Sequence, residues 1–177
     1  VEGADFEGGS DRRLNRMVAV TVVILSIAMA LTKIKDDNIV QAMQADKATS
    51  VDTWSEYQAS RIKLHISQDF QNLRPPGAGG GKQSKEITKY QDESAALKAK
   101  AASLDADYDK QGFRDDQFDI SDGFSSVALA VAAIAALTES YGLLFFCWIT
   151  GFCGIGMGVA GFAELPIHPD ALVKFLT

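Results

Sequence analysis

The sequence predicts an all-α integral membrane protein with three transmembrane helices and a long antiparallel two-helix, coiled-coil-like hairpin between the first and second. Three observations carry this. Apolar residues crowd into three blocks, so a mean hydropathy of only +0.02 hides strong segregation. The stretch between the first two blocks is polar, with charges of both signs. A single Pro/Gly cluster divides that stretch into two arms of equal length.

The first apolar block runs from Met17 to Thr32 without a charge, between Arg12, Arg13 and Arg16 on one side and Lys33 and Lys35 on the other. Its sixteen residues rise ~24 Å as a helix, short of a ~30 Å hydrocarbon core. Leu14 and Ile34 lengthen it, and Arg16 and Lys33 snorkel at its ends. The predicted span is 12–36, after an N-terminal tail at 1–11. The rival reading is a signal peptide, with a basic leader, a core of suitable length and Ala28-Met29-Ala30 as a cleavage-like site.

The predicted extramembrane hairpin is 37–122. Between Lys33 and Asp122 lie 13 of the 17 basic residues and 16 of the 23 acidic ones, the pattern of solvated helix faces and not of a nucleic-acid surface. Val40 to Leu73 reads as one helix, with Val40, Met43, Val51, Trp54, Ile62, Ile66 and Leu73 on a broad face expected to meet the second arm. Pro75 stops it by biasing Arg74 away from helix, and Gly77 to Gly81 form the turn within 74–82. Helix is expected to resume after Ser84 as N-cap. Ile87, Tyr90, Ser94, Leu97, Ala101, Leu104 and Tyr108 then alternate spacings of three and four, a heptad seam whose register continues through Phe118 to Ser125. The arms Val40–Leu73 and Lys85–Phe118 each rise ~51 Å, as a hairpin with a shared base requires.

The second and third apolar blocks, Phe124–Thr138 and Leu143–Ala163, are separated only by Glu139 to Gly142, so they must be antiparallel neighbours within 123–165. Ser125, Ala128, Ala132 and Ala135 make a small-residue stripe on one. Gly151, Gly154, Gly158 and Gly161 make one on the other. Such stripes let helix backbones approach closely in lipid. Two uses are expected of the glycine face: packing within this hairpin, or oligomerisation. Glu139 and Glu164 read as solvated turn residues. The tail 166–177 holds Ala171, Leu172, Phe175 and Leu176, which suit an amphipathic turn on a membrane surface.

No set of residues points to catalysis, a cofactor or a metal. His65 and His168 lack ligand partners at metal spacing, and Glu56 and His65 are more than two turns apart. Gly81-Lys82-Gln83-Ser84 lacks the spacing and preceding strand of a phosphate loop. Cys147 and Cys153 point ~120° apart on one helix and read as packing residues. Trp54 and Tyr57 read as hairpin core or as a recognition patch for a partner helix.

VDTWSEYQASRIKLH (Val51 to His65) and the Ala-rich ALAVAAIAALT (Ala128 to Thr138) resemble a family of bacterial membrane proteins known as domain of unknown function 4337. The resemblance covers nearly the whole chain and implies one membrane helix, a charged helical segment and a membrane hairpin. It implies no activity and no site residues. Its members commonly carry basic residues in the last membrane turn, where Glu139-Ser140-Tyr141 stands here, and the Pro/Gly cluster at 75–81 is unusual for it.

The expected function is a non-enzymatic structural or accessory subunit that scaffolds a larger membrane complex, such as a respiratory or photosynthetic assembly. The expected partners are membrane lipids and other integral membrane proteins, with no nucleic acid and no small-molecule substrate. The alternatives are a membrane-anchored sensor, which lacks an output module, and a small oligomeric channel, for which the spans offer only Thr21, Ser26, Ser125, Ser126 and Thr150. The expected location is a bacterial inner membrane, N-terminus in the cytoplasm and hairpin in the periplasm, from the three N-terminal arginines.

Overall fold

A computed structural model describes residues 4–75 and 81–167, with side chains from Arg12 onward. The described residues form three helices: α1 (Ala4–Asn72), α2 (Gly81–Thr138) and α3 (Tyr141–Phe162). All three are long and apolar enough, by length and composition, to cross a membrane. The chain divides into two compact units. One draws on Val1–Val40 and Gly112–Thr177, the other is Gln41–Gln111. The unit boundaries therefore lie inside the 37–122 expected for the hairpin.

Several helix ends differ from expectation. The N-terminal stretch is helical from Ala4, and α1 runs unbroken through residues 33–39, because nothing there opposes helix: Lys33 bonds to Asp36 at 2.7 Å, one turn on. Ser84 is not a cap but lies inside α2, where its carbonyl accepts from Thr88 Oγ1. Gly112 and Gly123 do not interrupt α2. The amphipathic tail residues, His168 and the glycines 77–80 lie outside the described residues.

In the Gln41–Gln111 unit α1 and α2 pack antiparallel, as paired contacts show: Asp46 with Gln111 (2.8 Å), Ser50 with Asp105 (2.7 Å) and Ser67 with Gln83 (3.5 Å). The α2 seam is as expected, with Ser94 and Ala101 buried and Ile87, Tyr90, Leu97, Leu104 and Tyr108 half-buried. The α1 seam is not. Met43, Asp46, Ser50, Thr53, Tyr57, Ser60, Leu64 and Ser67 turn inward, alternating steps of three and four. Of the apolar face expected there, Val51, Ile62, Ile66 and Leu73 are exposed, and Phe70 with them. The seam was hidden because Ser and Thr occupy it. Their small side chains suit close helix approach, and their hydroxyls bond either within α1, as Thr53 Oγ1 does to the Thr49 carbonyl at 2.7 Å, or across to α2, as Ser50 Oγ does to Asp105 at 2.7 Å and Ser60 Oγ to the Tyr90 carbonyl at 3.4 Å.

In the other unit Leu14, Val18 and Leu25 of α1, Ala128, Ala132 and Ala135 of α2, and Leu144 and Cys147 of α3 form one buried cluster. The α2–α3 connection is made by Glu139 in the left-handed region (φ 51), which lets the Ser140 N–H reach back to the Ala135 carbonyl at 3.1 Å. Helix α3 ends the same way, with Glu164 at φ 53 and Leu165 N–H on the Ala160 carbonyl at 3.0 Å. Glycine usually fills such positions. Glu164 is held by Arg114 at 3.0 Å, so the cleaner test is Glu139. Glu139→Gly should raise unfolding stability of the full chain by about 0.5–1 kcal/mol, the left-handed penalty less the extra chain entropy of glycine. Denaturant titration in detergent checks this.

Candidate functional site

Three neighbourhoods concentrate buried polar or closely packed groups, and each lies within one unit.

The first is the glycine face of α3. Gly151, Gly154, Gly158 and Gly161 are all buried, and they meet helices of the same chain. A methyl on Gly154 would stand 2.5 Å from Ser125 Oγ and 3.0 Å from the backbone of Ser121 and Ser125. One on Gly158 would meet Thr32 Cγ2 of α1 at 2.8 Å and Ser121 Oγ at 2.9 Å. Gly151 faces Leu25 and Ala128, and Gly161 faces the Phe118 ring. Ala128 and Ala132 are fully buried in the same core. Beside this face an apolar groove of about 480 Å³ runs between α1 and α3, lined by Ile24, Leu25, Trp148, Phe152 and Ile155. Its polar groups pair with each other, Trp148 Nε1 donating to Thr21 Oγ1 at 2.9 Å. Cys147 is buried and Cys153 exposed, with no disulfide between them.

The second lies in the Gln41–Gln111 unit. Trp54 and Tyr57 are half-buried and meet edge to face at 5.5 Å. Asp105 of α2 ties this region together by accepting from Ser50 Oγ at 2.7 Å and from Trp54 Nε1 at 3.1 Å. Those two bonds hold its carboxyl below the usual carboxylate range. Lys47 lies 3.9 Å from Asp105 and 5.2 Å above the Tyr108 ring. The arrangement ties the register of α1 to that of α2. Arg61 and His65 are adjacent on the exposed surface, 3.4 Å apart.

The third was missed in the sequence. Asp36 of α1 is only 4 % exposed. Its Oδ2 accepts from Lys33 Nζ at 2.7 Å, and its Oδ1 is enclosed without a hydrogen-bond partner. Half-buried Asp115 of α2 stands within hydrogen-bonding range of Asp36. Burial first, then that bond and the charge of Asp36, push the Asp115 carboxyl up to about 7. Asp119 is also raised, by burial and then by the charge of Asp36. A signal was present: the α2 heptad register passes through Asp115 on its way from Tyr108 to Phe118. The matching α1 register is masked by its Ser and Thr residues, so the sequence alone does not bring Asp36 opposite it. Just beyond, Gln117 of α2 is fully buried and donates to the Leu165 and Ile167 carbonyls at 2.9 and 2.6 Å, securing the chain after α3.

Among the described residues no group of three His, Cys, Asp or Glu side chains is arranged to hold a metal ion. The model of a family described as a domain of unknown function (DUF4337) matches residues 14–164, which takes in all three neighbourhoods. No curated protein and no solved structure matches the chain.

Proposed function

The chain belongs to the DUF4337 family, and from that premise we propose that it is a membrane-anchored, non-enzymatic accessory subunit that docks a partner membrane protein along its helical hairpin. The observation that carries this reading is the uncovered apolar stripe on α1. Val51, Ile62, Ile66, Phe70 and Leu73 are between 50 and 83 % exposed on the side away from α2. Among the described residues, α2 exposes no large apolar side chain between 81 and 111. A one-sided apolar patch on an otherwise polar surface marks an interaction site. The three long apolar helices support the anchor, because exposed residues such as Val23, Ile27, Phe145 and Phe152 need an apolar solvent. The groove between α1 and α3 then faces lipid and suits an acyl chain. Three N-terminal arginines support a cytoplasmic N-terminus and a hairpin on the far side of a bacterial inner membrane.

Ile62→Asp/Ile66→Asp should leave membrane fractionation and helix content unchanged and strip co-purifying membrane proteins from the natively purified chain. An unchanged set of co-purifying proteins would remove the docking role. Release of the wild-type chain from membranes at alkaline pH would remove the anchor.

A further inference from the structure

We infer that Asp36 and Asp115 form a proton-binding site that locks α1 to α2, with one proton shared between two carboxyl groups from facing helices. The geometry points to this first. Asp36 Oδ1 is buried and finds no donor, and a buried acceptor left unpaired costs stability. Asp115 is the α2 side chain in hydrogen-bonding range of Asp36. As a carboxylate it has no hydrogen to give. As a carboxylic acid it donates its O–H and supplies the missing partner.

The charges around the pair drive the proton on. From α1 come Lys33, 56 % exposed at its side chain and 3.6 Å from Asp37, and Asp37 itself. From α2 come Asp116, Asp119 and Asp122, whose neighbouring charges act on Asp115 or Asp119. Arg114 is turned away, onto Glu164 at 3.0 Å and the Gly161 carbonyl. Helix α3 carries no charged residue. Among the described residues Lys33 is the cation paired with Asp36, and two carboxylates in contact in a partly buried setting cannot both ionise cheaply. Asp115 therefore stays protonated up to about pH 7. Above that, loss of the proton leaves two facing negative charges and an orphaned acceptor between the helices. The site is a pH-sensitive lock, set by side chains that the docking stripe does not include, and it does not depend on membrane insertion.

The sign follows from the raised folded-state value. The stabilising contribution is complete below the ordinary carboxylate value of 3.8 and is lost as pH rises through about 7. The test uses the full-length chain in detergent. Infrared difference spectra should show a protonated-carboxyl band at pH 6 that disappears as pH rises through 7, and Asp115→Asn should abolish it. Asp115→Asn keeps a donor toward Asp36, so it should also flatten the fall in thermal stability between pH 5 and 8 and exceed the wild type at pH 8. Asp119→Asn should keep the band and move its midpoint to lower pH. No such band at pH 6, a band that survives Asp115→Asn, or an unchanged stability profile in that variant would each overturn the proposal.

Discussion

Gly154→Leu and Gly158→Leu should be among the most damaging single substitutions in this chain, each costing at least the ~1–3 kcal/mol typical of overpacking. The two should differ when only a methyl is added. At Gly154 a Cβ meets backbone atoms of Ser121 and Ser125 at 3.0 Å, which move only if α2 and α3 separate. At Gly158 it meets Thr32 Cγ2 and Ser121 Oγ, side-chain atoms able to yield by a rotamer change, although Thr32 Oγ1 is bonded to the Ala28 and Met29 carbonyls at 3.1 and 2.9 Å. Gly154→Ala is therefore expected to cost more than Gly158→Ala. Gly156 is the control. It is exposed, with nothing within 4 Å of an added Cβ, so Gly156→Leu should be tolerated and Gly156→Ala should gain up to ~1 kcal/mol of helix propensity. Denaturant unfolding of the six variants in one detergent ranks them. Equal costs at 154 and 156 would show that the glycine face is not a close contact.

Phe118→Ala should cost about 3–5 kcal/mol, the range for emptying a buried aromatic site. Phe118 is 1 % exposed and is the largest fully buried side chain among the described residues. Its ring meets Phe162 edge to face at 5.3 Å and lies directly under Gly161. The same contact predicts a coupling. Gly161→Ala alone places a methyl about 2.9 Å from Phe118 Cζ and should destabilise. In the Phe118→Ala background that methyl enters the vacated space, so the double variant should be less unstable than the sum of the two. Additive effects would mean that the ring does not seat on Gly161. Phe152→Ala, at a residue 74 % exposed, should change stability by less than ~0.5 kcal/mol.

Helix content, the number of apolar helices and the antiparallel arrangement were legible in the sequence, because each rests on local pattern. Uninterrupted apolar runs identify the three candidate spans. Pro75 follows closely on the end of the first long helix at Asn72, and Glu139 to Gly142 is too short for anything but a reversal. The α2 seam was legible for the same reason, since Ile87, Tyr90, Leu97 and Leu104 announce its period with large apolar side chains.

Which face of α1 meets α2 was decided only by the tertiary structure. Between 43 and 67, α1 carries two stripes on opposite sides, one of large apolar residues and one rich in Ser and Thr. Hydrophobicity alone selects the first. The helices instead pack on the second, where Ser50, Thr53 and Ser60 allow close approach and Asp105 satisfies Ser50 and Trp54. The apolar stripe of α1 conceals the Asp36–Asp115 pair, because two carboxylates 79 positions apart become neighbours only through the registers of both helices. The glycine face shows the same division. Its spacing was plain in the sequence. That it is filled by Leu25, Thr32, Phe118, Ser121 and Ser125 of this chain was settled by α2 and α3 closing to backbone contact while α1 supplies the Leu25 and Thr32 side chains, a property of their mutual packing that no single helix encodes.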